Sequence, residues 1–248
     1  MGKYVTVIVP CYNEKKRFNS SAFNEFSQKE AFFKFIFVDD GSTDSTAEVL
    51  KMLCVGNSEK FEVLILNKNQ GKAEAVRLGV LKALESNTEY VGYFDADLAT
   101  PLEELVRLKE ILDTQLSCDI VMGSRIKLLG RRIERKWYRH YLGRIFASAA
   151  SMVLKVGVYD TQCGAKLFRR GEVIEAIWKD PFMSKWIFDV ELIARYQSFK
   201  KRLNLGENKK CIFEMPLFEW CDVAGSKVKP QDFIVAIKEL FKIYLVYK

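Results

Sequence analysis

Two aspartates separated by one residue, Asp95-Ala96-Asp97, close the apolar run at residues 90–95 (YVGYFD). In extended backbone, residues i and i+2 project to the same side, so the two carboxylates converge. Left unpaired they repel each other, and a hard divalent cation shared with a diphosphate relieves that repulsion. Mg²⁺ or Mn²⁺ held by Asp95 and Asp97 would neutralise charge developing on a departing nucleoside diphosphate, with Asp97 among the catalytic groups. An isolated pair of this kind also arises by chance, so its surroundings must decide.

Three further segments follow apolar runs in the same way. Val38-Asp39-Asp40-Gly41-Ser42-Thr43-Asp44 leads into a helical pattern. Carboxylates repel phosphate but accept hydrogen bonds from a ribose or base, which makes Asp39 a candidate ligand contact. Asp40, Ser42 and Asp44 have the ordinary alternative of forming a turn and capping the helix. Pro10-Cys11-Tyr12-Asn13-Glu14 sets an aromatic ring beside an amide and a carboxylate, which can enclose a planar base; a plain polar loop looks the same. Asn67-Lys68-Asn69-Gln70-Gly71-Lys72 has a glycine and two lysines at a helix start, an arrangement that favours anions. It lacks the spacing of a Walker loop.

The elements that position these segments alternate. Residues 4–10, 33–39, 61–66, 90–95 and 119–123 are short and nearly continuous in apolar character, as strands covered on both faces are. Helical periodicity occupies residues 42–53, 71–84 and 101–112 between them. Such alternation predicts an α/β fold with a mostly parallel sheet flanked by helices, whose ligands bind beyond the carboxyl ends of the strands. Every acidic motif falls there. The second half is less regular: one long helix at 134–156, a loop at 160–164, a short strand, a helix near 186–199, a strand at 211–216 and a final helix at 232–247.

The 248 residues are 49% hydrophobic and 29% charged, values of a folded globular chain. No repeat or linker divides them, so residues 1–248 read as one domain in two halves, 1–124 and 125–248. No signal-peptide pattern opens the sequence and no apolar run is long enough to span a bilayer. Six scattered cysteines and one histidine exclude a zinc site by spacing and fit reduced thiols in the cytoplasm. The net charge of +7 concentrates between Arg125 and Arg144. A basic cluster of this kind suits a solvated helix face, nucleic acid, or phosphate groups and an anionic membrane surface.

The motifs together resemble the GT-A-fold family 2 glycosyltransferases: VIVPCYNE, VDDGSTDST, the Lys68–Lys72 loop and DADLATP, in this order and spacing. The later segments Gly123-Ser124-Arg125, Asp160 to Phe168 (DTQCGAKLF), Phe188 to Leu192 (FDVEL), Glu219-Trp220 and Gly225 to Val228 (GSKV) are similar to those of dolichyl-phosphate β-glucosyltransferases and bacterial polyprenyl-phosphate glycosyltransferases. The resemblance covers nearly the whole chain. It implies a GT-A, Rossmann-like fold, a nucleotide-sugar donor (UDP-glucose above GDP-mannose or UDP-GlcNAc) and a lipid-phosphate acceptor. It assigns Pro10, Tyr12, Glu14 and Asp39 to the nucleoside, with Lys68 and Lys72 nearby, and Asp95, Ala96 and Asp97 to the diphosphate and metal. It assigns Arg125, Arg131, Gln162, Lys166, Trp220 and Lys227 to the acceptor side, with Asp189 bordering the sugar.

The implied reaction is one in-line displacement at the anomeric carbon, with inversion. A lipid phosphate is already ionised near neutral pH and needs no strong base. A sugar hydroxyl, as in surface polysaccharide synthesis, needs a carboxylate within reach, and Asp189 is the candidate. The basic segment then suits acceptor phosphate and a membrane surface, with the last helix (Phe233, Ile234, Ile237, Leu240, Phe241 and Tyr244, with Lys238, Lys242 and Lys248) either lying at that surface or packing on the core or a second subunit. The expected location is peripheral, at the inner face of the membrane. No motif for nucleic-acid recognition accompanies the charge. A nucleotidyltransferase would need a Gly-rich, basic loop after the first strand, where this chain has CYNE. A non-catalytic nucleotide-sugar-binding protein would have less use for intact Asp39, Asp95 and Asp97.

Overall fold

The computed structural model describes residues 3–135, 137–205, 211–223 and 231–247. In chain order the elements are β1 (Val5–Cys11), α1 (Ser20–Lys29), β2 (Phe33–Asp39), α2 (Thr46–Val55), β3 (Phe61–Ile65), α3 (Lys72–Leu84), β4 (Tyr90–Phe94), α4 (Glu103–Thr114) and β5 (Ile120–Ser124). There follow β6 (Arg132–Glu134), α5 (Trp137–Leu154), β7 (Ala165–Arg169), α6 (Glu172–Lys179), α7 (Phe188–Arg202), β8 (Ile212–Pro216), β9 (Glu219–Cys221) and α8 (Gln231–Tyr247).

Seven strands form one sheet in the order β3-β2-β1-β4-β7-β5-β8. β7 runs antiparallel to its neighbours β4 and β5, and the remaining pairings in the sheet are parallel. The carboxyl ends of the parallel strands therefore share one rim, and the chain enters β7 from that same rim. A parallel two-stranded ribbon, β6 with β9, stands beside it.

Alternation along each strand feeds two apolar layers. Val5, Val7, Val9 and Cys11 of β1 pack with Phe23 and Phe26 of α1, Leu50 of α2 and Leu105 of α4. Ile8 turns to the opposite layer, against α3, α5, α6, α7 and α8. Strands covered on both faces are why the sequence shows continuous apolar runs instead of alternation.

Some boundaries differ from expectation. The long helix expected from Glu134 begins at Trp137, because Arg132–Glu134 pair with Glu219–Cys221 instead. The second helix starts at Thr46, since Ser42 and Asp44 are used in the loop before it. α1, α6 and the ribbon were not foreseen. Among the described residues no helix is long and apolar enough to cross a membrane, and the six cysteines are free.

Candidate active site

A cleft of about 490 Å³ opens above the carboxyl rim of the sheet. Its first wall is built by the loops after β1 and β2, which are laced together. Asn13 N donates to Ser42 Oγ at 2.9 Å, and Glu14 N and Lys15 N donate to Thr46 Oγ1 at 2.8 and 3.0 Å. In return, Asn13 Oδ1 accepts Thr43 N at 2.8 Å. The Ser/Thr/Asp-rich stretch before α2 is thus a clamp on the preceding loop, and that clamp fixes Tyr12 and Glu14 on the cleft. Asn13 adopts a left-handed φ of 51°, which asparagine tolerates.

The loop after β3 is drawn onto the same wall. Asp40 accepts Gln70 N and Gly71 N at 2.7 and 2.9 Å. Burial, reinforced by Asp39, pushes its pKa up against the pull of those bonds. Gly41 has φ +64°, and a Cβ there would collide with the backbone of Lys68 and Asn69. Glycine is therefore required where the two loops cross.

Asp95 and Asp97 both line the cleft, though not by way of extended backbone. β4 ends at Phe94, and the pair occupies a turn in which Asp97 Oδ1 accepts Ala99 N at 3.1 Å. Leu98, next in the chain, has φ 51°, a conformation that costs an L-residue roughly 1–2 kcal/mol. Asp95 N donates to Gly164 O at 3.0 Å. A Cβ on Gly164 would overlap the Asp95 carboxylate, so the glycine is the cradle in which that carboxylate lies. Lys72 Nζ sits 2.5 Å from Asp95 Oδ1. Burial opposes charge on Asp95, but Lys72, Arg125 and Lys166 outweigh it and lower its pKa. At Asp97, burial and then the neighbouring Asp95 raise the pKa. Two oxygen-only side chains at a cleft wall, one of them already attracting a cation, suit a hard divalent ion. Among the described residues no group of three metal-ligating side chains occurs.

The cleft also carries basic groups. Arg125, just after β5, is held by Asp160 through Nε and Nη2 at 2.6 and 2.8 Å. Asp160 is itself aimed by Glu214 of β8, which accepts Tyr159 N and Asp160 N at 2.7 and 2.8 Å. Despite its burial, Arg125 keeps Asp160 well below the usual carboxylate range. The guanidinium lies 5.4 Å from the ring centroid of Trp220, which is on β9. Glu104 of α4 receives Phe218 N at 2.6 Å, and Cys221 N donates to Ala99 O at 2.9 Å. Those bonds carry Trp220 to the side of the Asp97 turn. Arg125, Arg135, Gly143 and Gln162 also border a small adjoining recess that includes Arg144.

Beneath the floor is a buried charge network. Lys166 of β7 is fully buried, and its Nζ donates to Asp189 Oδ1 at 2.6 Å and to the carbonyls of Thr161 and Cys163 at 2.9 and 2.6 Å. The Tyr93 hydroxyl donates to the same Asp189 oxygen. Burial, then Asp189, pushes the Tyr93 pKa far up, so this hydroxyl stays a donor. Asp189 is the one member of the trio that lines the cleft. Burial also holds the Cys163 thiol up at about 11.

The structure brings Pro10, Tyr12, Glu14, Lys72, Asp95, Ala96, Asp97, Arg125, Gln162, Asp189 and Trp220 onto one cleft. It does not bring Asp39, which lies buried and accepts the Ser42 hydroxyl, leaving Asp40 on the cleft. Lys166 is spent on Asp189 and carbonyls and does not reach the acceptor wall. Lys68 and Arg131 are not on the cleft; Arg131 stacks 3.4 Å from the Phe218 ring centroid. Lys227 lies outside the described residues. Arg17, Asn69, Arg135, Lys185, Trp186 and Asp222 line the cleft without having been singled out. Arg135 belonged to the basic segment and Asn69 to the loop before α3; the others carry no signal apart from the fold.

The profile described as Glycosyl transferase family 2 matches residues 6–176. A dolichyl-phosphate beta-glucosyltransferase of Dictyostelium discoideum is 33% identical over 98% of this chain and 75% of that protein. The Homo sapiens protein of the same name is 33% identical over 92% of this chain and 70% of its own length. Among solved structures, glucosyl-3-phosphoglycerate synthase from Mycobacterium tuberculosis in complex with Mn²⁺ and UDP-glucose superimposes with a TM-score of 0.67 at 19% identity. That match covers 100% of this chain and 81% of the other, and it supports a shared GT-A fold.

Proposed function

The chain belongs to glycosyl transferase family 2 and is a hexosyltransferase, and from that premise we propose that it transfers glucose from UDP-glucose to a polyprenyl or dolichyl phosphate, with inversion. The observation that carries this reading is that one cleft holds both the Asp95–Asp97 carboxylates and the cations Arg125 and Arg135. The names of the relatives supply the sugar and the lipid.

In this reading Pro10, Tyr12 and Glu14 receive the nucleoside. Asp95 and Asp97 hold Mg²⁺ or Mn²⁺, which would neutralise the leaving diphosphate. Lys72 supplies a second positive charge at the same place. Arg125, held by Asp160, and Arg135, with Gln162, receive the acceptor phosphate as positive charges at the cleft. Trp220 gives the sugar an apolar face. Asp189 orients a sugar hydroxyl, its carboxylate held in place by Lys166 and Tyr93, which both donate to one of its oxygens. A phosphate acceptor is already ionised near neutral pH and needs no base.

Contact with an anionic membrane surface fits the outer faces of two helices. α5 exposes Tyr141, Ile145 and Met152, and α8 exposes Ile237, Phe241 and Leu245 next to Lys238 and Lys242. Apolar and basic side chains mixed on a helix face suit a headgroup layer. Ala236, Leu240 and Ile243 pack α8 on the core, so the helix lies along the molecule. The location is then peripheral to the cytoplasmic leaflet.

Purified full-length chain incubated with UDP-glucose, Mn²⁺ and a polyprenyl phosphate should yield a glucosyl lipid with release of UDP. Absence of both products overturns the reading. Transfer to a sugar hydroxyl but not to lipid phosphate moves it to polysaccharide synthesis. Sedimentation with vesicles containing anionic lipid tests the membrane face, and a concentration-dependent dimer that conceals α8 would replace it.

A further inference from the structure

The segment between α6 and α7 forms a lip of the cleft, and it is held from behind by two carboxylates. Lys185, Trp186 and Ile187 line the cleft immediately before Asp189. Glu191 of α7 accepts Met183 N and Ser184 N at 3.2 and 2.8 Å. Glu239, which comes from α8, takes the rest. Its Oε1 accepts Lys185 N at 3.0 Å, and its Oε2 accepts Trp186 N and Ile187 N at 3.1 Å each, with Ser184 Oγ at 2.7 Å.

A run of consecutive backbone donors before a helix has no partners within that helix. One carboxylate satisfying four donors at the start of α7 is favoured by charge and by the helix dipole. Ala236 of α8, three residues earlier, itself lines the cleft. The lip is short, and its shape is therefore set by Glu239 and Glu191 more than by its own sequence. The donor loops are fixed by bonds of their own, Asn13 with Ser42, Glu14 with Thr46, and Asp40 with Gln70 and Gly71.

We infer that Glu239 is a positioning residue for the acceptor side of the cleft: it holds the Lys185–Trp186 lip against α8, so that α8 sets acceptor access while leaving donor binding alone. This rests on the transferase reading above. It adds that the outer helix and the reaction rim are mechanically one piece, with a single side chain as the joint.

The substitution Glu239→Gln keeps the volume but offers one acceptor oxygen where two were used, and turns an NH₂ group toward backbone donors. Three quantities should be read on the full chain: KM for polyprenyl phosphate, affinity for UDP-glucose with Mn²⁺, and amide hydrogen exchange across residues 183–188. The expected result is a rise of about tenfold in acceptor KM, faster exchange of the 185–187 amides, and donor affinity within about twofold of wild type. Glu239→Asp, one methylene shorter, should fall between. Unchanged acceptor KM and exchange overturn the inference. So does a loss of donor affinity parallel to the acceptor effect, which marks a merely structural residue. If E239Q does not fold, Ser184→Ala cuts one strand of the same joint and is read by the same criteria. Wild-type protein inactive on polyprenyl phosphate would remove the transferase reading, and the exchange measurement alone would then decide the joint.

Discussion

Lys72 Nζ lies 2.5 Å from Asp95 Oδ1, on the carboxylate expected to hold a metal. A lysine and a divalent cation cannot share that oxygen, so the lysine must move when metal and diphosphate arrive. Both side chains are more than a third exposed, so the pair is partly screened. Lys72→Met should tighten Mn²⁺ binding to the donor-free protein by roughly fivefold. The same variant should weaken UDP-glucose, because the diphosphate loses a positive neighbour. Titration of free Mn²⁺ by electron paramagnetic resonance checks the first half and calorimetry the second. Equal metal affinity in both proteins would count against competition.

Gly164 is predicted to be intolerant of any side chain. A methyl group there overlaps the Asp95 carboxylate and forces it out of the cleft. Gly164→Ala should retain the far-ultraviolet circular dichroism of the fold. Turnover should drop by about 100-fold, the usual consequence of displacing a reacting group by an ångström. Near-normal turnover would mean that Asp95 has freedom the packing does not suggest.

Lys166→Met should destabilise the protein strongly, since it leaves Asp189 charged, buried and with one partner fewer. Breaking a buried pair from one side costs about 3–5 kcal/mol. Adding Asp189→Asn to that variant should recover much of the loss in a denaturant titration while activity stays low. Recovery of both would show that Asp189 has no role at the sugar.

The Arg125–Asp160 pair sets an acid dependence. Asp160 has a depressed pKa in the folded chain, so its stabilising contribution is complete above its ordinary value of 3.8 and is lost as the pH falls below that toward the folded value. Asp160→Asn should therefore melt below wild type at neutral pH, and the gap should close as the pH drops through that window. Thermal melts at pH 7, 5, 4 and 3 would reveal it (pH values on the scale of roughly one unit that a single titration spans). A gap constant across the series would assign the effect to packing.

Much of the donor wall was legible because it is local. β1, β2, β3 and β4 are continuous apolar runs, and each cleft motif follows one within a few residues. Which aspartate of Asp39-Asp40 faces the ligand was not legible. The answer depends on where β2 ends and which face its last residue takes, and one residue's difference reverses it. Lys166 is expected on the acceptor side from its motif; its partner Asp189 lies 23 positions away, and only the fold brings them together. α1 escaped notice because Ser20–Lys29 is largely polar, with Phe23 and Phe26 its few buried anchors. β6 and β9, three residues each, are too short to show periodicity. The lip at Lys185 and Trp186 carries no motif, since its shape comes from carboxylates on α7 and α8.

β4 and β5 follow each other in the chain but are not neighbours in the sheet, because β7 lies between them. As the chain leaves the ribosome, the first five strands therefore emerge with a slot open at the middle of the sheet. Until Ala165–Arg169 arrive, the edge of β4 has unpaired backbone groups, and Asp95 lacks its bond to Gly164. An exposed edge of this kind invites pairing with other chains. A fragment ending at Ser124 would carry every donor motif and still be expected to aggregate. Biosynthesis thus cannot finish the nucleotide side first: the metal site is completed late, by the segment that also delivers the acceptor side.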